Sequence, residues 1–390
     1  MRVVIDISEK LKKVEPSATV EVVTLARKLE EKGYDVISFG IGEPDFHTPR
    51  KIIEWAYEAM KEGYTHYTPP AGLKETREAI AEKYREENNV DATWENVIIT
   101  PSKFGIFTAM ASVLNPGDEV LIPNPGWVSY CQMAKLLDAK PIGYSVSIRD
   151  RAINEEEIKE KITNKTKMIV INSPSNPLGT VFSIEDMKFI RDIAQDKNLI
   201  VLSDEIYEKI IYEGRFISPA SFEGMLERTI IVNGFSKMYA MTGWRIGYII
   251  APKTLTKEMT KFQSHTLTCA PAFAQVAVAK ALRDDETQEE VKKMIEEYSR
   301  RRELVYNELK KIELFEAYKP KGTFYVFPKY NYPMKSSDFA RMILEKKHVV
   351  VTPGSAFGSL GEGHVRISFA TSRENIKKGM ERIRELVEEL

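Results

Sequence analysis

Hydrophobic and polar residues follow a helical spacing near the start of the chain and a strand-like pattern directly after it. Apolar side chains in residues 18–32 recur at the spacing of an amphipathic helix, and Gly33 stands where a C-terminal cap would. Residues 35–40 then predict a strand that leads into Gly-Ile-Gly-Glu-Pro-Asp-Phe. This opening segment is therefore predicted to hold one helix and one strand.

Six short apolar runs, rich in β-branched residues, follow between residues 97 and 250. Most are separated by segments of helical periodicity, which is typical of a largely parallel sheet covered by helices on both faces. The runs are Val97–Thr100, Glu119–Ile122, Met168–Asn172, Leu199–Ser203, Thr229–Asn233 and Ile246–Ile250. We therefore predict an α/β fold.

The pattern changes again after a long charged helix predicted over residues 285–313. Shorter elements follow it: a strand near 323–327, a helix near 336–347, strands near 348–351 and 364–369, and a terminal helix. We interpret this end of the chain as a second, smaller α/β domain.

Polar and reactive residues follow five of the six apolar runs. In open α/β sheets, ligands bind beyond the carboxyl ends of the strands, so residues in these places are expected to share one pocket. The segments are Pro101-Ser102-Lys103, Pro-Asn-Pro-Gly-Trp127-Val-Ser-Tyr130, Ser-Pro-Ser-Asn176, Asp204-Glu-Ile-Tyr207 and Gly-Phe-Ser236-Lys237.

Composition narrows the class of protein. The formal net charge is −1 and there is no basic block, which argues against nucleic acid or an anionic membrane as a partner. Cys131 and Cys269 are the only cysteines, which fits a reducing cytoplasm, and no signal peptide or membrane-spanning run is seen. Charged residues make up 29% of the chain, a hint of a thermophilic source.

Lys237 lies in the run Asn-Gly-Phe-Ser-Lys-Met-Tyr-Ala-Met-Thr-Gly-Trp-Arg-Ile-Gly, at the end of an apolar strand. A lysine amine there can form a Schiff base with an aldehyde cofactor, while Ser236 and Arg245 hold its phosphate. The run resembles the cofactor-lysine signature of pyridoxal-phosphate aminotransferases of fold type I. With Pro16-Ser-Ala-Thr-Val20 and Gly354-Ser-Ala-Phe-Gly358, the resemblance extends over nearly the whole chain, and the motifs are most similar to the bacterial and archaeal aspartate aminotransferases.

The resemblance implies a domain arrangement and a cofactor, pyridoxal 5′-phosphate. The large domain, residues 47–283, would hold a mostly parallel seven-stranded sheet between helices. Residues 1–46 would form an N-terminal arm and part of the small domain, which residues 284–390 complete. No metal is expected.

The cofactor ring needs a carboxylate beside its pyridine nitrogen, because the ring withdraws electrons only while that nitrogen is protonated. Asp204 matches the family position for this role, although alone it would be interpreted as a helix N-cap. Tyr207 and Asn176 would bond the ring's phenolic oxygen, and Trp127 would stack on the ring. Their ordinary interpretations are a core tyrosine, a turn asparagine and a core aromatic residue.

The cofactor phosphate needs backbone N–H groups and fixed positive charge. Ser102 and Lys103 begin a helix directly after a strand, a common anion site, and Ser236 and Arg245 add a hydroxyl and a guanidinium. The resemblance also implies that Tyr67 reaches the phosphate of a neighbouring subunit, which predicts a homodimer with shared active sites. Packing within its own loop is the simpler interpretation of Tyr67.

Substrate recognition is predicted to depend on Arg366, in the strand His-Val-Arg-Ile-Ser-Phe-Ala. A mid-strand arginine is usually solvated, but the family's matching arginine holds the α-carboxylate of an amino acid with its planar fork. Gly42 resembles the segment that closes over this carboxylate, and Asn176 and Trp127 would complete the site.

The choice of amino acid depends on fewer residues. Aspartate aminotransferases of the resembled subgroup have a lysine matching Lys103 and a threonine matching Thr19, both contacts to a distal carboxylate. A lysine in a first helical turn is unfavourable unless an anion is near, although a solvated lysine is the simpler interpretation. Aromatic residues near Phe104, Phe107 and Tyr130 would suit an aromatic substrate, and alanine also stays open.

Three departures from the family pattern affect the phosphate cup and the substrate pocket. Leu178 replaces a small hydroxyl residue, Pro101-Ser102 replaces a glycine-rich turn, and Phe104 stands where relatives often have Gln. The lysine, aspartate and arginine framework is unaffected.

The predicted reaction is transamination in two halves. Lys237 would hold the cofactor and then move a proton as general base and acid, with L-aspartate as donor and 2-oxoglutarate as acceptor. A carbon–sulfur lyase of the same fold would share these residues. A nicotinamide dehydrogenase is disfavoured because Gly40-Ile-Gly42 lacks the third glycine of a dinucleotide motif, and a cofactor-sensing regulator would need a DNA-binding module that the sequence lacks.

Overall fold

The computed structural model describes residues 6–15, 18–148 and 151–390, with the backbone alone over residues 18–23. The helices are α1 (Glu9–Lys12), α2 (Ala18–Glu31), α3 (Arg50–Lys61), α4 (Lys74–Asn88), α5 (Ser102–Val113), α6 (Ser129–Leu136), α7 (Glu155–Lys161), α8 (Ile184–Asp196), α9 (Phe235–Met238), α10 (Lys253–Ser264), α11 (Ala272–Leu282), α12 (Asp285–Leu309), α13 (Ser336–Lys347) and α14 (Arg373–Glu388). The strands are β1 (Ile37–Ser38), β2 (Val97–Ile99), β3 (Glu119–Asn124), β4 (Lys140–Ser145), β5 (Thr166–Asn172), β6 (Ile200–Asp204), β7 (Thr229–Gly234), β8 (Gly247–Ile250), β9 (Phe315–Glu316), β10 (Tyr325–Val326), β11 (Lys329–Tyr330), β12 (Val349–Val350), β13 (Thr352–Pro353) and β14 (Val365–Ser368).

The central sheet confirms the predicted α/β class. Within the described residues it has seven strands in the order β2-β8-β7-β6-β5-β3-β4, and β8 alone runs against its neighbours. The strand that the apolar runs did not reveal is β4. Its sequence, Lys-Pro-Ile-Gly-Tyr-Ser, contains Pro141 and Gly143, which an edge strand tolerates but a central strand would not.

Both faces of the sheet are covered, because alternate residues of its central strands enter two different cores. Ile169 and Ile171 of β5 pack in one apolar cluster. Met168 and Val170, which point to the opposite face, pack in another. Burial on both faces explains why these strands are continuous apolar runs.

The N-terminal segment pairs with the C-terminal part of the chain. Strand β1 lies parallel to β12, with Ile37 opposite Val349, and β10, β14 and β13 form an antiparallel sheet beside them. Helix α12 ends at Leu309, four residues before the predicted end, because the chain turns there toward β9. The domain boundaries at residues 46 and 283 stay a prediction.

The carboxyl ends of β5, β6 and β7 lie side by side. Asn172 pairs with Asp204, and Asp204 pairs with Val232, one residue before Asn233. Residues that follow these strands are therefore brought to one edge of the sheet, as the sequence predicts.

Candidate active site

A single cavity of about 660 Å³ lies at this edge and brings together most of the predicted site residues. Its size is that of a typical small-molecule site. The predicted residues that line it are Gly42, Ser102, Lys103, Trp127, Asn176, Asp204, Tyr207, Ser236, Lys237, Arg245 and Arg366.

Two predicted residues are not part of this lining. Tyr67 is 86% exposed and lines a neighbouring surface groove, although Arg245 borders both the groove and the cavity. Thr19 lies on α2 in the stretch whose side chains fall outside the described residues, so its predicted contact stays a prediction.

Lys237 enters the cavity from α9, directly after β7. Its Nζ donates a hydrogen bond to the backbone oxygen of Gly42 at 2.5 Å. Burial lowers the pKa of this amine to about 8; the guanidinium groups of Arg366 and Arg245 act in the same direction, and Glu43 opposes them. A substantial fraction of the amine is therefore neutral near physiological pH, as a nucleophile or base requires.

Asp204 faces Lys237 from the end of β6. Its carboxylate accepts a hydrogen bond from the hydroxyl of Tyr130 at 2.5 Å and a long one from the N–H of Ile206 at 3.3 Å. Burial raises the pKa of Asp204 to about 6, and the hydrogen bond from Tyr130 limits the rise. The sequence predicted no such role for Tyr130, since an aromatic residue on α6 carries no local signal of a carboxylate 74 residues away.

Tyr207 and Tyr325 form a pair of buried hydroxyls in the cavity, 2.8 Å apart. Burial raises the pKa of Tyr207 well above its usual range, so the hydroxyl stays protonated. A Cβ atom built on Gly42 would lie 2.6 Å from the hydroxyl of Tyr325, so a larger residue there would have to displace that hydroxyl. Tyr325 was not among the predicted site residues.

Arg366 is a buried cation whose partners are neutral. Its guanidinium donates to the side-chain oxygen of Asn176 at 3.0 Å and to the backbone oxygen of Gly40 at 2.9 Å. The rings of Tyr325 and Phe357 lie 4.4 and 4.9 Å from its Cζ atom. Within the described part of the chain its Nε has no hydrogen-bond partner and no carboxylate pairs with it. A buried, uncompensated cation is costly, so this geometry favours an incoming anion.

A second group of donors surrounds the first turn of α5. The first N–H groups of a helix lack intrahelical partners, and the Ser102 hydroxyl donates to the backbone oxygen of Asn233 at 2.9 Å. The Nζ atom of Lys103 lies 5.2 Å from the centre of the Trp127 ring. Burial and the nearby guanidinium of Arg245 lower the pKa of Lys103. Among the described residues neither cation is ion-paired, so the two together provide an anion site.

No helix in the described ranges is long and apolar enough to cross a membrane. In the same residues, no group of three or more His, Cys, Asp or Glu side chains is arranged to hold a metal ion.

The donor groups of the cavity fit pyridoxal 5′-phosphate. Lys237 offers an amine for the aldehyde, and Asp204 offers a carboxylate for the protonated pyridine nitrogen. The start of α5, with Lys103 and Arg245, offers N–H groups and positive charge for the phosphate.

Comparison with known proteins agrees with this chemistry. A family model described as aminotransferase class I and II matches residues 34–383. An aspartate aminotransferase of Pyrococcus abyssi is 43% identical, over 98% of both chains. The aromatic-amino-acid aminotransferase 2 of Thermococcus litoralis is 41% identical, again over 98% of both chains.

A solved structure is similar over the same length. The structure of the Thermus thermophilus aspartate aminotransferase with maleate has a TM-score of 0.94 and 37% identity, and the match covers 98% of this chain and 100% of that one. Family, relatives and fold therefore agree, and the chain belongs to the class I and II aminotransferases, enzymes that depend on pyridoxal phosphate.

Proposed function

We propose that the protein transfers the amino group of L-aspartate to 2-oxoglutarate. The observation that carries the amino-acid site is Arg366, a buried guanidinium that meets only neutral oxygens among the described residues. It would hold the α-carboxylate with its planar fork. Asn176 and the backbone at Gly42 lie beside it and would complete that contact.

The proposed cofactor contacts follow from the same cavity. Lys237 would carry pyridoxal phosphate covalently, Asp204 would pair with its ring nitrogen, and Tyr207 with Asn176 would bond its phenolic oxygen. Trp127 would cover the ring. The phosphate of the cofactor would lie at the start of α5, held by Ser102, Lys103, Ser236 and Arg245. When bound, the cofactor supplies an electron-withdrawing ring that makes the Cα proton of the substrate acidic.

The chain itself would move the proton and keep water out. Lys237 is suited to take the proton from Cα and return it at the cofactor's carbon, because its buried amine has a pKa of about 8. Asp204 would keep the ring nitrogen protonated as a charge partner. The loop that carries Gly42 lies over the amine and would shield it from solvent.

The preference for aspartate depends on the distal carboxylate. Lys103 borders the cavity without an ion pair in the described part of the chain and would bind this group, with Thr19 as the second contact. The Thermus relative is known with maleate, a dicarboxylate. The Thermococcus relative, which is named for aromatic amino acids, supports an aromatic donor as the alternative.

We also propose a homodimer in which Tyr67 enters the partner's site. Apolar side chains at helical spacing are exposed along α3 and the loop after it, and they end at Tyr67 beside the groove that Arg245 borders. A second copy of the chain would cover this stripe. Its members are Ile53, Tyr57, Met60, Tyr64 and Tyr67.

A hybrid dimer tests the shared site. A dimer of one Lys237→Ala chain and one Tyr67→Ala chain has one site that retains both residues if Tyr67 acts in the partner's site. It should then recover activity that neither parent dimer shows. If Tyr67 acts within its own chain, both sites of the hybrid stay impaired.

The visible absorption spectrum of the loaded protein tests the reaction and its donor. Aspartate should convert the cofactor to its amine form far more readily than phenylalanine or alanine does. A preference for phenylalanine would retain transamination but remove Lys103 as the distal contact. Release of sulfide from cysteine without transfer of an amino group would instead indicate the carbon–sulfur lyase.

A further inference from the structure

A buried polar cluster lies on the far side of the strand ends that carry the active site. Asp204 and Tyr207 point into the cavity, whereas Glu208, on the same short segment, points away from it toward α4. We call this group the Glu208 cluster. It consists of Lys83, Tyr84, Asn88, Glu208 and Asn233.

The carboxylate of Glu208 is the centre of the cluster. It forms a short ion pair with Lys83, and each of these two side chains is only 4% exposed. It also accepts hydrogen bonds from the side-chain amides of Asn233 at 2.9 Å and Asn88 at 3.1 Å. Removing one member of such a buried pair leaves an uncompensated charge, which is strongly unfavourable.

Asn233 connects this cluster to the loop that carries the reactive lysine. Its side-chain oxygen accepts the N–H of Gly234 at 2.7 Å, and its backbone oxygen accepts the hydroxyl of Ser102 at 2.9 Å. Its amide nitrogen donates to Glu208 and to the hydroxyl of Tyr84, both at 2.9 Å. One side chain therefore joins the buried ion pair to the backbone three residues before Lys237.

There is little free space around this connection. A Cβ atom built on Gly234 would lie 2.3 Å from the Ser102 hydroxyl and 2.8 Å from the Cα atom of Gly247. The end of β7 and the start of α5 are thus in direct contact. A shift of the backbone at Asn233 would therefore move both the loop of Lys237 and the first turn of α5.

We propose that Glu208 and Asn233 are positioning residues for the reaction: Glu208 orients the amide of Asn233, and Asn233 holds the end of β7 so that the amine of Lys237 stays buried against Gly42. The proposal deepens the proposed function and rests on Lys237 being the reactive amine. It assigns the cluster a part in reactivity beyond the stability of the fold.

Removal of the positioning contacts is expected to loosen the loop and expose the Lys237 amine to water. Burial is the largest cause of the lowered pKa of that amine, so exposure should raise it. In Glu208→Gln and Asn233→Asp we expect a rise of about 0.5 to 1 pH unit. In Asn233→Asp the lost amide donor is replaced by an oxygen that faces the carboxylate of Glu208.

The double variant Glu208→Gln/Asn233→Asp is the decisive one. It conserves the total charge: the glutamine amide can donate to the aspartate, and the aspartate carboxylate replaces that of Glu208 as the anion near Lys83, since Lys83 and Asn233 contact the same oxygen of Glu208. We therefore expect its Lys237 pKa to return toward the wild-type value. Glu87→Gln is the matched control, because Glu87 contacts Lys83 and Lys209 without touching Asn233.

Two measurements on the full-length protein test the proposal. In the loaded protein, the visible band of the bound cofactor is titrated against pH, which reports the proton on the Lys237 nitrogen while that nitrogen is bonded to the cofactor. In protein freed of cofactor, competitive acetylation of Lys237 with acetic anhydride gives the pKa of its amine by peptide mass spectrometry. The free energy of unfolding is recorded for the same set of variants.

Raised pKa values in both single variants, with recovery in the double variant, support the proposal. Single variants that lose stability but titrate like Glu87→Gln would overturn it and leave the cluster a purely structural one. If the singles do not fold, a double variant that folds but keeps a raised pKa overturns it as well. Neither measurement depends on the amino donor. If the visible band is unchanged in Lys237→Ala, Lys237 does not carry the cofactor, and the proposed function is rejected separately.

Discussion

Two buried polar regions lie back to back at the strand ends, the cavity and the Glu208 cluster, and each contains a carboxylate and a lysine. Glu205, which accepts a hydrogen bond from Tyr84 of the cluster, directly follows Asp204 in sequence, and burial raises the pKa of both carboxyls, that of Asp204 to about 6 and that of Glu205 to about 7. Glu205 accepts hydroxyl hydrogen bonds from Ser203, Ser218 and Tyr84. Asp204 accepts one hydroxyl and one weak N–H bond, and the rest of its carboxylate faces the cavity.

The lysines differ in the same way. Lys83 is ion-paired with Glu208, whereas Lys237 has the neutral backbone oxygen of Gly42 as its partner. Burial raises the pKa of Glu205 as it does that of Asp204, so a buried group with a shifted pKa does not by itself mark the reactive site. The difference is that the polar groups lining the cavity can still form hydrogen bonds and ion pairs, which a cofactor and a substrate can use.

Lys237→Ala is expected to have the largest effect on activity of the variants that test this comparison. We expect loss of more than about four orders of magnitude in turnover, because both the covalent attachment and the proton transfer depend on one amine. Stopped assays with 2-oxoglutarate would measure it. An active variant would show that the cavity lysine is not the reactive one. Lys209→Ala, which removes a lysine outside both regions, is the control.

Replacing Asp204, whose carboxylate faces the cavity, should reduce activity far more than replacing Glu205, whose carboxylate is hydrogen-bonded by three hydroxyls. In Asp204→Asn we expect kcat to fall by about 10²–10³-fold, since the ring nitrogen loses its charge partner. Glu205→Gln, next to it, should lose at least tenfold less. Steady-state kinetics of the two variants compare them directly, and equal losses would remove the distinction between the two carboxylates.

Arg366→Leu should raise the KM for every amino donor by about 10²-fold or more, because a buried carboxylate would lose its charge partner. Arg366→Lys should recover only part of this, since an ammonium lacks the planar fork. The KM values for aspartate, phenylalanine and alanine measure the effect. An unchanged KM would mean that the α-carboxylate binds elsewhere.

Glu205 makes a prediction about stability and pH. Its pKa in the folded protein lies above the ordinary value, so the folded state holds this proton more strongly than the unfolded state. The resulting stabilisation is complete below about pH 4.5 and is lost as the pH rises through about 7, by about 3 kcal/mol at most. Denaturant unfolding at pH 5 and pH 8 should show this loss in the wild type and a smaller one in Glu205→Gln. The same pH dependence in both proteins would contradict the assignment.

The smallest expected effect concerns the substrate. Lys103→Ala should raise the KM for aspartate by about tenfold and change the KM for phenylalanine much less, because only aspartate has a distal carboxylate. A parallel rise for both donors would place Lys103 at the phosphate instead. The affinity for pyridoxal phosphate, measured by fluorescence titration, distinguishes these outcomes.

The sequence by itself determined the class of fold and the family, and it predicted eleven of the residues that line the cavity. Buried parallel strands are continuous apolar runs, and their carboxyl ends meet at one edge, so Asp204, Asn176 and Lys237 could be placed together without coordinates. The chemistry of the cofactor demands particular residue types there, which is why the motif around Lys237 is so specific. Strand β4 was not predicted because proline and glycine interrupt its apolar pattern.

Only the tertiary structure decided which polar groups face the cavity and which are hydrogen-bonded within the protein. The hydroxyls of Tyr130 and Tyr325 meet Asp204 and Tyr207 from 74 and 118 residues away, and Lys83 meets Glu208 from 125 residues away. Local spacing cannot predict such contacts, because they depend on how distant elements pack. The opposite directions of Asp204 and Glu208, and with them the division between the cavity and the Glu208 cluster, follow from that packing alone.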